Sequence, residues 1–372
     1  MGLMLVEGNQ AIALGAVAAG CRFFAGYPIT PATTIYQNML KLLPPMGGIC
    51  LQGEDEIASI GFCLGASMAG MKVMTATSGP GISLFSEQIS FAIGSEIPIV
   101  IVDVQRLGPS TGSATKGADS DVQFLRWGNS GGLPVIVLAP VDIKDCYLLT
   151  IKAFNLAEIF RCPVFLAANK EVAMTRETLD LSTVEPPQIL SRKPASERKP
   201  YLPFKVSKTD PVPPFLPIGA KQLVRQTSST HGPDGYITID SKTIALNQAR
   251  LMRKIEEAGK ELVIYEAYHA AAARVLIITY GISARAAKSA LFEKDGYKYA
   301  SLLILKTLWP VPESVIRQEA AGIDRILVVE MNMGQYGREI QRVLAGKKIK
   351  VLGEMNGELI RPGRISEVIG DG

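Results

Sequence analysis

Short, nearly all-apolar runs alternate with longer stretches of helical period over the first half of the chain. CRFFAG (21–26), GICLQ (48–52), KVMTAT (72–77), PIVIVDV (98–104), LPVIVLAP (133–140) and CPVFLAA (162–168) lack the polar alternation of a strand with one wet face. Runs of this kind belong to a parallel sheet covered by helices on both sides. Between them, NQAIALGAVAA (9–19), EDEIASIGFCLGASMAG (54–70), SLFSEQISFAIGSE (83–96) and KDCYLLTIKAFNLAEIF (144–160) predict the covering helices. The pattern predicts an α/β layered domain over residues 1–190.

The composition shifts from residue 174 onward. Residues 191–265 are rich in proline and charge (SRKPASERKP, KTDPVPPFLP, TSSTHGPDGY) and predict a long surface excursion, closed by a linker helix over KTIALNQARLMRKIEEAGKEL. Over 266–372 the alternation resumes. RVLIITYG, ASLLILKTLWP, DRILVVEMN and KKIKVLGEM predict strands, and SARAAKSALFEKDG, PESVIRQEAAG and YGREIQRVLAG predict the helices between them. This is a second, smaller α/β domain, with no short-period repeat.

Bulk numbers narrow the chemistry. Of 372 residues, 47% are hydrophobic and 20% charged, enough apolar material for a sizeable core. The net charge of +4, from 39 basic and 35 acidic residues, is too balanced to argue for nucleic acid. The five cysteines (Cys21, Cys50, Cys63, Cys146, Cys162) are far apart with no CxxC, so the chain alone predicts no zinc or iron–sulfur site. An odd count in apolar context fits reduced thiols and a cytoplasmic protein. No membrane span is expected: the uncharged run 23–40 holds two prolines and several polar residues. AIALGAVAAGC resembles a signal peptide, but Glu7 stands where a basic region is needed.

Several familiar motifs fail. GASMAGMK has Met71 where a phosphate-binding loop needs lysine. The closing GDG (370–372) has nothing after it to complete a diphosphate–magnesium motif. His231 and His269 are the only histidines, which leaves a histidine triad or metal site poorly supported.

Four places remain. In FFAGYPITPATT, Pro28 and Pro31 restrict the backbone around Thr30, which fits N-cap followed by N1 of a helix through TTIYQNMLKLL. The hydroxyl is then pinned where a strand ends and a helix begins, the edge at which open α/β sheets bind ligands; an ordinary capping threonine has the same pattern. Glu54, Asp55 and Glu56 crowd the first turn of a helix whose small residues (Gly61, Gly65, Ala66, Gly70) suit a tight subunit contact. They suit the helix dipole, and a buried Glu56 would need a partner or a raised proton affinity. TATSGPGISLF predicts a sharp turn with Ser78 and backbone N–H groups exposed at its tip. In VDVQRLGPSTGSATKGADSDV, Arg106 follows an apolar strand and opens a loop containing Lys116; it suits a carboxylate clamp or a surface pairing with Asp119 or Asp121.

YPITP, EDEIASIG, ATSGPG and VDVQRLGPSTG, in that order and spacing, resemble the α subunit of the 2-oxoacid:ferredoxin oxidoreductases, in the 2-oxoglutarate branch. TLWPVPE, VVEMNMGQYGREI and the TSSTHGPDGY loop extend the resemblance over the whole chain. It implies a pyrimidine-type domain of thiamine diphosphate enzymes and a transketolase-like C-terminal domain. It also implies oxidative decarboxylation of a 2-oxo acid with coenzyme A, electrons passing to ferredoxin, by a chain active only with its β subunit. By resemblance, Thr30 touches substrate and Glu56 bonds N1′ of the coenzyme's aminopyrimidine. Arg106 binds the substrate carboxylate, and Ser78 and Gly79 lie against the cofactor. Lys116 or Arg126 is a candidate for a second carboxylate, which a β-chain residue could take instead. The diphosphate, its Mg²⁺ and the iron–sulfur clusters would sit in β or in further small γ and δ subunits. YPITPATT departs from the family's YPITPSSE at Ala32 and Thr34, which leaves pyruvate and branched 2-oxo acids as alternatives, alongside a non-catalytic scaffold role.

Overall fold

The computed structural model describes residues 2–196, 200–207, 209–292 and 299–370. Its strands, in chain order, are β1 (Leu3–Glu7), β2 (Phe23–Gly26), β3 (Ile49–Gln52), β4 (Val73–Thr77), β5 (Ile99–Gln105), β6 (Ile136–Leu138), β7 (Pro163–Asn169), β8 (Arg176–Asp180), β9 (Tyr265–Tyr268), β10 (Val275–Thr279), β11 (Ala300–Leu305), β12 (Thr307–Trp309), β13 (Arg325–Glu330) and β14 (Lys348–Gly353). A seven-stranded sheet has the order β12-β6-β7-β5-β4-β2-β3, and all its pairings are parallel except that of β12 with β6. Every residue of β2, β4, β5 and β7 is buried, which is why these runs carry no polar alternation. The helix Gly8–Ala18 packs on the long helix Ile143–Phe160 over one face of the sheet, where Gly15 lets the two backbones approach. The helices Glu56–Met68 and Ser86–Gly94 help to cover the other.

A five-stranded sheet follows, in the order β14-β13-β10-β11-β9, parallel except for β9. The apolar run ASLLILKTLW, expected to be one strand of this domain, is divided. β11 stays in the five-stranded sheet, and β12 crosses to complete the first sheet beside β6. Lys306 makes the crossing. Its N–H bonds Ile264 O, its carbonyl accepts from Ala139, and its amine pairs with Asp145 and Glu266 at 2.7 and 2.6 Å.

Other differences are local. β1 and β8 form an unforeseen two-stranded antiparallel sheet, and β9 is likewise new. The helix expected over 83–96 starts earlier, at Pro80, and divides at Phe85 into Pro80–Leu84 and Ser86–Gly94. The linker helix is Ser241–Glu256, shorter than its pattern because Gly259, at φ +53°, turns the chain. The helix beginning at Ser283 is described to Phe292; the remainder of that expected element lies outside the described residues.

The excursion is strapped down rather than loose. Arg192 pairs with Glu158 at 2.6 Å and donates to Ser67 O and Met71 O. Glu96, fully buried, receives Arg250 and Lys254 from the linker helix at 2.7 and 2.9 Å. These pairs hold its carboxyl down at about 2 against the opposing effect of burial.

Candidate active site

β5, β4, β2 and β3 are consecutive, parallel neighbours, so their carboxyl ends open on one edge of the sheet. The four singled-out segments leave from those four ends: Arg106 after β5, Ser78 after β4, Thr30 after β2 and Glu56 after β3. Parallel pairing alone brings residues distant in sequence to one crevice.

Asp55 caps the helix Glu56–Met68, its carboxylate accepting from Ala58 N at 2.7 Å, while Glu54 is exposed. Glu56 is turned inward and only 8% exposed. No hydrogen bond or ion pair with any described residue engages its carboxylate. It lies against Gly81: a Cβ there would be 3.0 Å from Glu56 Oε1 and 1.9 Å from Thr77 Oγ1. Only glycine leaves room for the carboxylate beside this turn. Ser78 is fully buried, not exposed at a tip, because the loop after β5 lies over the turn; its Oγ meets no partner. Gly79, at φ +35°, faces that loop, and a Cβ on it would lie 3.8 Å from the Arg106 side chain.

Arg106 is 4% exposed and makes no surface ion pair with Asp119 or Asp121. Its Nη1 donates to Thr30 O at 2.5 Å, and its Nε is buried without a partner. The loop is closed behind it: Ser120 Oγ donates to Arg106 O, Leu107 N to Lys116 O at 2.9 Å, and Asp121 N to Gln105 Oε1 at 2.9 Å.

Thr30 does not cap a helix. The helix is Thr33–Leu42, and Ala32 occupies the cap position with no side-chain bond. The carbonyls that an earlier start would need are taken: Thr30 O by Arg106, and Pro31 O by Asn9 Nδ2 at 2.8 Å. Asn9 also donates to Thr34 Oγ1 at 2.7 Å. The Thr30 side chain is left exposed, its hydroxyl bonded to none of the described residues.

Two of the expected cations are committed elsewhere. Lys116 is exposed and paired with Glu358 of the C-terminal domain at 2.6 Å. Arg126 lies over the Trp127 ring and donates to Leu133 O and Gly132 O. His231 stacks on Phe204, and His269 pairs with Glu319 at 2.7 Å.

Three residues escaped the sequence reading: Asn9, Thr77 and Asp103. Asp103 is the more visible signal, a single acid inside the apolar VDV run. It is fully buried, and no donor reaches either oxygen in good geometry. Burial first, then the nearby Asp121 carboxyl, pushes its own carboxyl well above the usual range; burial pushes Asp121 up to about 6. Burial likewise raises Asp119 to about 7, against the hydrogen bond from Asn169. Among the described residues, no group of three or more His, Cys, Asp or Glu suited to a metal ion occurs, and no helix is long and apolar enough to cross a membrane.

Such an edge can orient an anion on a buried guanidinium while a shielded carboxylate exchanges a proton with a ligand nitrogen. Comparison with known proteins agrees in kind. Residues 14–250 match the family model "Pyruvate flavodoxin/ferredoxin oxidoreductase, thiamine diP-bdg", and residues 273–365 match "Pyruvate:ferredoxin oxidoreductase core domain II". The chain is 38% identical to the 2-oxoglutarate synthase subunit KorA of Methanothermobacter thermautotrophicus, over 98% of this chain and 97% of the relative. It is 33% identical to the ketoisovalerate oxidoreductase subunit VorB of Methanothermobacter marburgensis, over 97% and 95%. Among solved structures, it is similar to 2-oxoglutarate:ferredoxin oxidoreductase from Magnetococcus marinus with 2-oxoglutarate, coenzyme A and succinyl-CoA bound, at a TM-score of 0.91 and 31% identity. All of this chain aligns there, spanning 65% of that longer chain. A split-gene transketolase, at a TM-score of 0.55 and 11% identity, shares the fold alone.

Proposed function

The chain belongs to the 2-oxoacid:ferredoxin oxidoreductases as an α subunit, and on that premise we propose that it builds half of a site that oxidatively decarboxylates 2-oxoglutarate to its acyl-CoA. The observation that carries this is the meeting of two functions on the turn after β4: Glu56 packs against Gly81, and Arg106 against Gly79.

Thiamine diphosphate fits this chain by its aminopyrimidine end. A carboxylate that is 8% exposed and lacks a protein donor suits a ring nitrogen that shares a proton with it. When bound, the coenzyme supplies the electron sink that decarboxylation requires. Glu56 holds the proton at N1′, and its burial keeps water from competing. Arg106, with Thr30 O fixing one arm, receives the carboxylate that will leave as CO₂. The unengaged Thr30 hydroxyl touches the substrate, and Gly79 lines the cofactor side, with Ser78 buried behind it rather than in contact.

The other half of the site belongs to a β subunit, to which we assign the coenzyme diphosphate, Mg²⁺ and an iron–sulfur cluster; small γ and δ subunits would carry further clusters. Ile57, Phe62 and Leu84 are each nearly half exposed, and a Cβ on Gly65 would meet none of the described residues within 4 Å, which suits a partner seated on this face. Because Lys116 is held by Glu358, we assign the second carboxylate of a five-carbon diacid to β rather than to Lys116. Residues 1–190 then form the pyrimidine-type domain, 191–265 the excursion and linker helix, and 266–372 the transketolase-like domain, in a cytoplasmic complex.

The 2-oxoglutarate assignment follows the relatives at 38–39% identity, against 33% for the ketoisovalerate enzymes. Branched 2-oxo acids and pyruvate are the alternatives. A scaffold role is disfavoured by Thr30, Glu56 and Arg106 standing together. The test is co-purification with the native β partner, followed by 2-oxo-acid-dependent reduction of ferredoxin or viologen. A kcat/KM for 2-oxoglutarate at least about tenfold above pyruvate and 2-oxoisovalerate is expected. A complex that reduces neither acceptor with any 2-oxo acid would sink the proposal.

A further inference from the structure

Asp103 lies in β5 just before Arg106, and Asp121 lies where the loop that Arg106 opens returns to the sheet. We propose that Asp103 and Asp121 form a carboxyl pair, sharing one proton behind Arg106, that couples binding of the 2-oxo acid anion to uptake of a second proton. The proposal rests on Arg106 being the seat of the substrate carboxylate.

The geometry leaves the pair little alternative. Asp103 is fully buried and Asp121 partly buried with its Oδ2 enclosed; no hydrogen bond of good geometry reaches that oxygen or either oxygen of Asp103, and the two carboxyls act on each other directly, against a lesser opposing effect of the Gly79 N–H on Asp103. Two neighbouring carboxylates, one of them fully buried, resist ionising together, so one proton stays between them. Asp121 is fixed by its own N–H on Gln105, and Ser120 ties the same turn to the Arg106 backbone. The pair therefore moves as one unit with the base of the guanidinium.

The charged and titratable groups around it are few. Arg106 lowers the proton affinity of Asp121 without an ion pair to it. On the far side stands Asp119, which Asp121 and Glu330 both push up. With one shared proton the pair carries a single negative charge, which balances Arg106. A substrate carboxylate arriving on Arg106 leaves an excess negative charge, and a second proton on the pair removes it. Linkage makes this reciprocal: the doubly protonated pair leaves Arg106 uncompensated and binds the anion more tightly. Burial raises both carboxyls above the ordinary aspartate range, so the second proton is lost, and affinity falls, as pH rises toward neutrality. If binding shifts the pair by one unit, the whole change is about tenfold.

The experiment uses the α–β complex with its coenzyme. Binding of 2-hydroxyglutarate, which cannot be decarboxylated, is measured calorimetrically in buffers of different ionisation enthalpy. The KM for 2-oxoglutarate is followed over the same pH range. Expected are net proton uptake near neutral pH and a Kd and KM that each rise about tenfold between about pH 5 and about pH 8. In Asp121→Asn, or in Asp103→Asn should that variant fail to fold, uptake vanishes and both constants become flat with pH. Wild-type binding without proton uptake, or uptake that survives both substitutions, overturns the pair. An Arg106→Ala complex that binds the anion like wild type overturns instead the placement of the substrate on Arg106, and the coupling falls with it.

Discussion

The Arg106 guanidinium donates from Nη1 to the backbone oxygen of Thr30 at 2.5 Å, joining the end of β5 to the turn after β2. One arm of the fork is held by main chain, so the remaining nitrogens are set in direction before any ligand arrives. Lysine has neither the fork nor the planarity to repeat this.

Arg106→Ala and Arg106→Lys are both expected to raise KM for the 2-oxo acid, by about tenfold to a hundredfold, with a smaller change in kcat. Steady-state kinetics on the co-purified complex decide it. A fall in kcat at unchanged KM would rule out the carboxylate-clamp role.

Glu56→Gln keeps the volume of the side chain but removes its proton exchange. Activity is expected to drop by about a hundredfold to ten-thousandfold, with complex assembly on size exclusion unchanged. Turnover like wild type would refute the N1′ assignment.

Gly81→Ala would place a methyl 1.9 Å from Thr77 Oγ1 and 3.0 Å from Glu56 Oε1. Something must move, and the strand end at Thr77 is fully buried. The substitution is expected to cost about 1–3 kcal/mol by denaturant unfolding and to remove most activity by displacing Glu56. Pairing it with Thr77→Ala, which clears the nearer contact, should restore stability better than activity. Full recovery of both would show that Glu56 had not been displaced.

Glu96 is held at about 2 by Lys254 and Arg250, below its ordinary 4.5. A carboxyl with a lowered value contributes stability above its unfolded pKa, and that contribution is lost as pH falls. The loss is expected between about pH 4.5 and about pH 2. Arg250→Ala leaves the buried carboxylate with less compensation and should cost about 3–5 kcal/mol at neutral pH. An unfolding midpoint unmoved by that substitution would show that the linker helix is not anchored there.

How much was legible depends on where each signal resides. The VMTAT and IVIVDVQ runs are buried on both faces, so composition alone marks them as strands. β1 and β9 are short and half exposed, and LMLVE or YEAY means little without the partner strand beside it. The break between β11 and β12 falls inside an apolar run, and its cause, the pairing of Lys306 with Asp145 and Glu266, joins residues remote in sequence. Thr30, Glu56 and Arg106 were readable as strand-end residues and by resemblance. Lys116 read as a site cation because Glu358, which occupies it, lies in the other domain.

Local pattern determined the alternating elements, the parallel sheet and the four strand ends at which the candidate site residues lie, because burial and turn geometry act over a few neighbouring residues. Tertiary structure decided which carbonyls Arg106 and Asn9 would take, and so where the helix after Thr30 begins. It also decided that the Asp103 and Asp121 carboxyls come together. Those outcomes depend on the pairing order of β5, β4, β2 and β3 and on the return of one loop, contacts between residues whose separation along the chain leaves no periodic trace.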